Sequence, residues 1–327
     1  MDQVTVPPVL REQLLDRRER LEREIGRIGS QPDLARLLQE VDDALGRIAA
    51  GTYGLCETCH DSIEADRLLA DPLVRVCLDH LTAAEQRALE RDLQLAANIQ
   101  RALLPAADVA VNGWQLAYHY RAASIVSGDY CDHIATGTGD CYFIVGDVSG
   151  KGVAASMLMA HLQSMFRALV PAALPLDALM ERASRVFCES TLPTHYATLV
   201  CGHASADGTV EIANAGHPPP LLIRCSGIES FHATGLPLGM FCSERFGVSR
   251  LRLAAGDSLL LYTDGVLEAR DAAGLDYGID RLRAITERAR HLSPRAMVDA
   301  CVQDLAAFVA GERYADDVTV MAVRRAV

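Results

Sequence analysis

The sequence predicts an α+β protein in which a helical N-terminal third precedes a larger domain of strands and paired helices. In the larger domain, the strand-like apolar runs fall into two blocks, without the regular strand–helix alternation of a parallel α/β sheet. In the N-terminal third, apolar residues recur at helical spacing. We expect three parts: a helical hairpin with a metal-binding finger at 1–81, a linker helix at 82–107 and the large domain at 108–327.

Charge and composition exclude several classes of protein. The net charge of −12 argues against binding nucleic acid through overall charge. The sequence has no continuous apolar run long enough to span a membrane, and Met1-Asp2-Gln3 lacks the basic start of a secretion signal. We therefore expect a cytoplasmic protein, in which the 10 cysteines are reduced thiols or metal ligands.

The N-terminal third carries two amphipathic helical patterns. Leucine and isoleucine recur at helical spacing from Leu10 to Ile28 and again from Leu34 to Ile48, on either side of Gly29-Ser30-Gln31-Pro32. This pattern predicts a helical hairpin whose apolar positions are the inner faces of the two helices.

A pair of short metal-binding motifs follows the hairpin. Each motif places two potential ligands two residues apart, so that both side chains can reach one tetrahedral ion. The expected zinc ligands are Cys56, Cys59, Cys77 and His80. His60 and Asp79 are neighbouring alternatives, but His80 keeps the spacing.

With Ala44–Ile48, Gly51–Cys56 and Arg67-Leu68, this region resembles the DksA/TraR zinc-finger family over about residues 10–85. The resemblance implies a helical hairpin of the kind that enters the secondary channel of RNA polymerase. One hypothesis is therefore a transcription regulator that binds RNA polymerase, with the large domain as a scaffold. A structural or sensory finger is the interpretation we favour.

The linker predicts one long helix, because Thr82–Leu104 contains neither glycine nor proline. A helix of this length spans about 33 Å at 1.5 Å per residue. Its expected apolar face consists of Leu89, Leu93, Ala96, Ile99 and Leu103.

Four acidic stretches of the large domain stand at predicted strand ends. Asp147 lies in Gly146–Gly152, directly after the apolar run Cys141–Val145, and Asp129, Asp264 and the pair Asp316-Asp317 have similar positions. Carboxylate oxygens are the ligands that Mg²⁺ and Mn²⁺ prefer. Two such ions can activate a water molecule and hold a phosphate group.

From about Leu95 onward, the order of motifs resembles the SpoIIE-type metal-dependent serine/threonine protein phosphatases of bacteria. The matching stretches are Ile99–Pro105, Ser127–Asp129, Gly146–Gly152, Ala215–Pro219, Leu236–Gly239, Tyr262–Gly265 and Asp316–Thr319. The resemblance implies an αββα sandwich with two metal ions at one edge between the sheets. It also implies a linker helix that carries dimer contacts and the activating signal.

The same resemblance assigns the ligands of two Mn²⁺ or Mg²⁺ ions. Asp147 corresponds to the carboxylate that bridges both ions. The other implied ligands are Asp129, the carbonyl of Val148, Asp264 and one of the pair Asp316 and Asp317, of which Asp316 is preferred.

The expected reaction is hydrolysis of phosphoserine or phosphothreonine on a protein by an activated water molecule. By family analogy, the substrate is a phosphorylated anti-sigma-factor antagonist or a similar signalling protein. Lys151 stands where many relatives have histidine, which leaves water or Lys151 as the proton donor. His217 either shapes the substrate side of the site or is a structural turn residue, and we favour the structural interpretation. Arg121 is interpreted as a phosphate-steering or salt-bridge residue. The cysteines interpreted as core or bystander residues are Cys131, Cys141, Cys188, Cys201, Cys225, Cys242 and Cys301.

Three hypotheses therefore remain after the sequence has been considered. The first is a phosphatase that acts on a phosphoprotein, forms a homodimer through the linker helix and is regulated by its zinc-bearing module. The second is the polymerase-binding regulator. The third, compatible with the first, is a sensor in which oxidation of Cys56, Cys59 and Cys77 releases zinc. The intact acidic set favours the enzyme.

Overall fold

The computed structural model of the protein describes residues 8–28, 31–137 and 139–326. The N-terminal stretch Met1–Gln3 and the first two residues of the predicted break, Gly29 and Ser30, lie outside the described residues.

The chain divides into two compact units, Met1–Arg91 and Asp92–Val327. The division falls inside one long helix, Ala83–Leu103. This helix occupies most of the linker predicted at 82–107.

The first unit contains the predicted helical hairpin. Its helices are α1 (Pro8–Ile28), α2 (Pro32–Ala49) and α3 (Ala65–Ala70), and the long helix that leaves it is α4 (Ala83–Leu103). Leu10 and Leu14 of α1 are buried against Val41 and Ala44 of α2. The apolar positions of both patterns therefore form the inner faces of the hairpin, as predicted.

The second unit consists of strands and helices that alternate irregularly along the chain. Its strands are β1 (Asp108–Val111), β2 (Trp114–Arg121), β3 (Asp129–Ala135), β4 (Cys141–Val148), β5 (Ala197–Ala204), β6 (Thr209–Ala215), β7 (Leu221–Arg224), β8 (Gly227–Ser230), β9 (Ser249–Arg252), β10 (Ser258–Tyr262) and β11 (Val318–Arg325). Its helices after α4 are α5 (Gly152–Leu169), α6 (Leu176–Ser190), α7 (Asp264–Leu267), α8 (Gly278–Ala289) and α9 (Pro294–Val309).

These strands form two antiparallel sheets that pack face to face. Within the described residues, one sheet has the order β1-β2-β11-β10-β7-β8 and the other β3-β4-β5-β6-β9. Trp114, Phe143 and Leu259 belong to the core between the sheets. Helices α5 and α6 cover the outer face of the second sheet, and α8 and α9 cover that of the first. The second unit is therefore the expected αββα sandwich.

Three local predictions were wrong. The stretch 127–132 is not only an acidic turn, because Asp129 begins β3. The strand-like run Phe246–Leu253, which the sequence predicts as one strand, contains only the shorter β9, and Phe246 is a buried residue before that strand. On α4, Ala97 and Gln100 are buried whereas Ile99 is 56% exposed, so the buried face is rotated away from the predicted one.

Among the residues that the structure describes, one helical stretch is long and apolar enough to span a membrane by length and composition alone. This stretch is Gly152–Ala172, which contains α5. In the structure, Met159, Leu162 and Phe166 of this helix are buried in the core against the second sheet. Its apolar character is therefore explained by packing inside the sandwich.

A buried ion pair joins α5 to β3. The guanidinium of Arg167 donates to both carboxylate oxygens of Asp132, at 2.8 and 2.6 Å. The Asp132 side chain is fully buried, whereas that of Arg167 is 42% exposed. The pair therefore gives Asp132 a structural role, which is to hold α5 against β3.

Replacing Arg167 with leucine should destabilise the second unit, because it leaves the Asp132 carboxylate buried without its partner. We expect a loss of about 3 kcal/mol in the free energy of unfolding, the lower end of the usual range, because Arg167 is partly solvated. For a unit of this size, the melting temperature should fall by about 6 to 12 °C. Arg185→Leu, at an exposed position of α6, is the matched control for thermal denaturation. Equal melting temperatures for the two variants would contradict the prediction.

Candidate metal centre

Two of the predicted ligands are brought together by the pairing of β3 with β4. Asp129 at the start of β3 lies opposite Asp147 near the end of β4. Gly128 allows the close approach: a Cβ atom there would lie 3.1 Å from the Val148 carbonyl oxygen and 3.3 Å from Asp147 Oδ1. The Val148 carbonyl therefore faces the same turn as the two carboxylates.

The other predicted ligands come from the first sheet. Asp264 begins α7 directly after β10, and Asp316 and Asp317 precede β11, which pairs with β10. Gly265 makes this junction possible, because a Cβ atom at its position would lie 2.0 Å from the Asp317 carbonyl oxygen. No other residue type could be accommodated there without moving the backbone.

The acidic residues of the two sheets are close enough to affect one another's ionisation. Burial raises the pKa of the Asp147 carboxyl to about 7, and the negative charges of Asp264 and Asp316 add to the shift. Burial likewise raises the pKa of Asp129 well above its ordinary value, with a contribution from the charge of Asp147. The pKa of Asp264 is raised by burial and by Asp316. The charge of these carboxylates is therefore relieved either by protonation or by a bound cation.

Asp316 and Asp317, left as alternatives by the sequence, make different contacts. Both oxygens of Asp317 accept backbone hydrogen bonds, from the N–H groups of Ala123 at 2.7 Å and Gly128 at 2.8 Å. Asp316 Oδ2 instead accepts from Lys151 Nζ at 2.8 Å. Asp317 therefore holds the turn before Asp129, whereas Asp316 is paired with Lys151 and accepts the Asp317 N–H at its other oxygen, at 2.9 Å.

Two threonines orient the Asp129 carboxylate. Both lie within matched motifs, but the sequence alone assigned them no role. Asp129 Oδ2 accepts hydrogen bonds from the hydroxyls of Thr263 at 3.0 Å and Thr319 at 2.5 Å. All three residues are buried. These contacts occupy one carboxylate oxygen and fix the direction of the other, the usual task of residues behind a metal ligand. Thr263 directly precedes Asp264, and Thr319 follows Asp317 by two residues. This closeness to predicted ligands was the sequence signal that could have identified them.

Gln100 of α4 makes a paired contact with the turn that carries Asp129. Its Nε2 donates to the Ser127 carbonyl at 2.7 Å, and its Oε1 accepts from the Ser127 N–H at 3.0 Å. Gln100 is 6% exposed, so both bonds are shielded from water. The C-terminal half of the linker helix is therefore connected directly to the turn before Asp129.

Gln100→Ala should lower the rate of metal-dependent phosphate-ester hydrolysis, the reaction expected from the sequence, by roughly tenfold. This is the lower range for residues that orient metal ligands. The reason is that Ser127 and the adjoining Gly128-Asp129 backbone lose both hydrogen bonds. Initial rates should be measured at several Mn²⁺ concentrations, because a displaced ligand turn also weakens metal affinity. Gln94→Ala, at an exposed position of the same helix, is the control. Wild-type rates and metal dependence in Gln100→Ala would disprove the role.

His217 and Arg121 lie in settings that limit their roles. His217 is buried, Thr198 Oγ1 lies 2.9 Å from its Nδ1, and burial lowers its pKa to about 3. Its backbone N–H donates to Asn214 Oδ1 at 2.8 Å. The structural interpretation of His217 therefore holds. Arg121 stacks on Tyr314, with its guanidinium carbon 4.4 Å from the ring centroid.

The cysteines contain one departure from prediction. Cys188 and Cys242, interpreted as bystanders, form a disulfide with their Cα atoms 5.4 Å apart. This Cα separation is normal for a disulfide, but the two cysteines are 54 positions apart in the sequence, so their spacing does not reveal the pairing. The free cysteines that are buried in the sandwich, as predicted, are Cys131, Cys141, Cys201 and Cys301, whereas Cys225 is free and exposed.

The first unit brings together the four predicted zinc ligands. In the described part of the chain, Cys56, Cys59, Cys77 and His80 form the group of His, Cys, Asp or Glu side chains whose ligand atoms all lie within 4.8 Å of one another. Cys77 Sγ lies 3.8 Å from Cys59 Sγ and 3.1 Å from His80 Nδ1. Neither His60 nor Asp79 belongs to this group, so the geometry favours His80.

The backbone favours a thiolate at Cys56, whereas at Cys59 a backbone hydrogen bond from Asp61 is outweighed by burial and the neighbouring side chains, which raise the pKa to about 12. Burial raises the pKa of Cys56, but the backbone N–H groups of Cys59 and Cys77 outweigh it and lower that pKa to about 6. N–H groups aimed at sulfur in this way stabilise the thiolate, which is the form that binds zinc. Three sulfur atoms and one imidazole nitrogen match a closed structural zinc site.

We call the group formed by Asp129, Asp147, Asp264, Asp316 and the Val148 carbonyl the acidic edge. This group likewise suits Mg²⁺ or Mn²⁺. The candidate donors there are carboxylate oxygens and one carbonyl, which hard divalent cations prefer. The raised pKa values of Asp129, Asp147 and Asp264 reflect the cost of burying several negative charges together. The donor set and the electrostatics therefore both fit divalent cations.

Two protein-family models match the chain. The sequence model of the family described as "Stage II sporulation protein E (SpoIIE)" matches residues 137–326, more than half of the chain. The chain belongs to the SpoIIE family. A second model, the "prokaryotic dksA/traR C4-type zinc finger", matches residues 51–79 of this SpoIIE-family protein. That range includes Cys56, Cys59 and Cys77, and His80 is the residue directly after its end.

Individual relatives support the same assignment. "Phosphoserine phosphatase RsbP" of Bacillus subtilis (strain 168) is 31% identical over 186 residues, which cover 55% of this chain and 46% of RsbP. The crystal structure of the RsbU and RsbW domains of Rv1364c from Mycobacterium tuberculosis is 29% identical with a TM-score of 0.58, and the match covers 67% of this chain and 62% of that one. The chain thus spans about half the length of the curated relatives it matches.

The fold is shared with more distant structures. The SiaA-PP2C domain of Pseudomonas aeruginosa has a TM-score of 0.65 at 18% identity, covering 74% of this chain and 98% of that domain. The αββα sandwich of the second unit is therefore a PP2C-like phosphatase fold.

Proposed function

We propose that this SpoIIE-family protein is a metal-dependent phosphatase that hydrolyses phosphoserine or phosphothreonine on a signalling protein. The observation that carries the proposal is the acidic edge, where Asp129 and Asp147 of one sheet lie beside Asp264 and Asp316 of the other. The substrate class we propose is a phosphorylated anti-sigma-factor antagonist, by analogy with the relatives.

The chain's own residues divide the work at this edge. Asp129, Asp147, Asp264, Asp316 and the Val148 carbonyl would hold two Mn²⁺ or Mg²⁺ ions. Such ions lower the pKa of bound water and offset charge on a phosphoryl group. Thr263 and Thr319 orient Asp129, and Asp317 holds the Gly128 turn.

Lys151 adds a positive charge beside the acidic residues. Its Nζ donates to Asp316 Oδ2 at 2.8 Å and to the Ala315 carbonyl at 3.0 Å, and its side chain is 69% exposed. A phosphoryl group that approaches Asp316 therefore meets an ammonium group that can be reached from solvent.

Two assays on the full chain test the proposal. Hydrolysis of p-nitrophenyl phosphate should depend on added Mn²⁺ or Mg²⁺ and stop when the metal is chelated. Release of phosphate from a serine-phosphorylated anti-sigma-factor antagonist should show the same metal dependence. Turnover that persists after complete metal removal, or no turnover of either substrate with metal present, would reject the function.

We also propose that the N-terminal unit regulates this activity through α4, with dimerisation by the same helix. Leu95 and Ile99, one turn apart on α4, are 58% and 56% exposed, although both are large and apolar. Their exposure on one helix provides an apolar strip for a second α4.

The full chain should therefore form a dimer whose affinity depends on this strip. Replacing both Leu95 and Ile99 with serine should convert the dimer to a monomer in multi-angle light scattering, because their apolar area no longer leaves water on association. Serine at Leu275 and Leu292, exposed leucines outside α4, is the control. A monomeric wild-type chain at micromolar concentration would exclude this model of regulation.

A further inference from the structure

The segment between β8 and β9 runs alongside the strand next to Asp147. Leu238 and Ala197 exchange backbone hydrogen bonds of 2.9 and 2.7 Å, and Ala197 pairs with Val148 of β4. Two strand spacings separate Leu238 from Val148, which places their backbones about 10 Å apart. The residues after Leu238 therefore lie at the border of the acidic edge.

This border exposes several large apolar side chains. We call Leu192, Tyr196, Met240 and Phe241 the apolar rim; their exposed fractions are 66%, 37%, 38% and 55%. Tyr196 is tied to the loop after Asp147, because the Ser149 N–H donates to its carbonyl at 2.9 Å and its own N–H donates to Ser149 Oγ at 3.0 Å. Exposed apolar groups collected around a polar site are typical of protein-binding surfaces.

A disulfide holds part of this rim in position. The Gly239 N–H donates to Ser184 Oγ of α6 at 3.1 Å, and Phe246 is buried. Between these anchors, residues 240–245 are linked covalently to α6 by the Cys188–Cys242 disulfide. Cys242 is exposed, so a reductant can reach the bond.

We propose that the apolar rim is the docking surface for the folded body of the phosphoprotein, and that the Cys188–Cys242 disulfide holds Met240 and Phe241 in the docking conformation. This inference rests on the proposed function. A protein partner commonly buries about 800 Å² on each side, a disc of roughly 16 Å radius. A partner whose phosphoserine reaches Asp147 therefore extends over Leu238, whose backbone lies about 10 Å from that of Val148, and over the rim residues that follow Leu238.

The position of the rim favours the substrate over a second copy of the chain. A second copy seated on Tyr196 and Phe241 would cover the approach to Asp147 and exclude a protein substrate. A phosphoprotein uses both surfaces at once, with its phosphoryl group at the carboxylates and its apolar side chains on the rim.

Reduction of the disulfide would release the docking segment. A dithiol reductant supplies two electrons and two protons, so that the Sγ–Sγ bond breaks, Cys188 and Cys242 become thiols and the dithiol becomes a disulfide. Residues 240–245 then lose their covalent link to α6, and Gly239 and the buried Phe246 hold the two ends of the segment. Docking of the phosphoprotein weakens, whereas small substrates, which do not contact the rim, are unaffected.

The first test replaces Phe241, which is 55% exposed, with serine. The control is Leu275→Ser, at an apolar position that is 65% exposed and lies outside the rim. The probe is a serine-phosphorylated anti-sigma-factor antagonist. Its Kd is measured by biolayer interferometry on metal-free protein, and its KM with Mn²⁺. Phe241→Ser should raise both by roughly tenfold, as expected for an aromatic anchor, with p-nitrophenyl phosphate kinetics unchanged. Leu275→Ser should match wild type.

The outcomes separate the docking surface from the activity. Wild-type Kd in Phe241→Ser, or no phosphoprotein binding by the wild-type chain, would overturn the docking proposal even if p-nitrophenyl phosphate is hydrolysed. Binding that is lost in Phe241→Ser, without turnover of any substrate by wild type, would support docking and reject the phosphatase. Self-association that disappears in Phe241→Ser would assign the rim to a second copy and overturn the proposal.

The second test addresses the disulfide. Cys242→Ser, and wild type treated with dithiothreitol, should both show a raised KM for the phosphoprotein and unchanged p-nitrophenyl phosphate kinetics. Cys225→Ser removes an exposed free cysteine and is the control. Because Cys242→Ser leaves the zinc ligand Cys56 intact, the effect of this variant reports on the disulfide alone. A wild-type KM in Cys242→Ser would overturn the role of the disulfide.

Discussion

Asp147→Asn is expected to lower metal-dependent phosphatase activity by about a thousandfold or more, equivalent to about 4 kcal/mol of transition-state stabilisation. The amide keeps the size of the side chain but removes the charge at the position where β3, β4 and the acidic residues of the first sheet meet. Rates with p-nitrophenyl phosphate at saturating Mn²⁺ measure the effect. Asp280→Asn, on the exposed surface of α8, is the control.

The same substitution should stabilise the metal-free protein. Burial and the charges of Asp264 and Asp316 oppose ionisation of Asp147, so a neutral amide relieves that cost. A gain of about 1 kcal/mol would raise the melting temperature by about 2 to 4 °C. A variant that loses activity and also melts lower than wild type without metal would indicate misfolding instead of ligand loss.

Removing one zinc ligand should unfold the first unit while leaving the sandwich folded. Zinc binding contributes about 10 to 16 kcal/mol in zinc-finger peptides, more than most small domains have as total stability. Cys77→Ala should therefore lose bound zinc and amide protection in the hydrophobic core that contains Tyr53 and Cys56. Metal analysis and hydrogen exchange, resolved by peptide, measure both effects.

Two histidine variants identify the fourth ligand in the same experiment. His80 Nδ1 lies 3.1 Å from Cys77 Sγ, whereas the exposed His60 is outside the cluster. His80→Ala should weaken zinc binding, and His60→Ala should retain a full equivalent. The reverse result would transfer the ligand role to His60.

Much of the fold could be predicted because its elements have strong local patterns. The helical patterns from Leu10 to Ile28 and from Leu34 to Ile48 agree with α1 and α2, and the stretch Thr82–Leu104 agrees with α4. Strand β3 was missed because Asp129, Asp132 and His133 interrupt its apolar pattern. Each has a partner that a single strand cannot reveal: the threonines for Asp129, Arg167 for Asp132 and the Ala106 carbonyl for His133.

The candidate sites could be predicted only in part, for a related reason. Asp129 and Asp147 stand in recognisable motifs, but the contacts that orient them cross large sequence distances. Gln100 reaches Ser127 from another element, and Thr319 reaches Asp129 from the far end of the domain. The Cys188–Cys242 pair is similarly defined by the folded chain and not by spacing. Local patterns identify which residues can carry chemistry, whereas tertiary packing determines how they are supported.

The division of the acidic residues between two sheets links the fold of this protein to its supply of metal. Ions held jointly by Asp147 of one sheet and Asp264 beside the other would link the two layers, and only while the sandwich is closed. At a metal concentration one hundred times the Kd, such binding would add about 2.7 kcal/mol to the stability of the native state. Metal starvation would then lower the amount of protein as well as its turnover, because the metal-free sandwich would open more often to proteases.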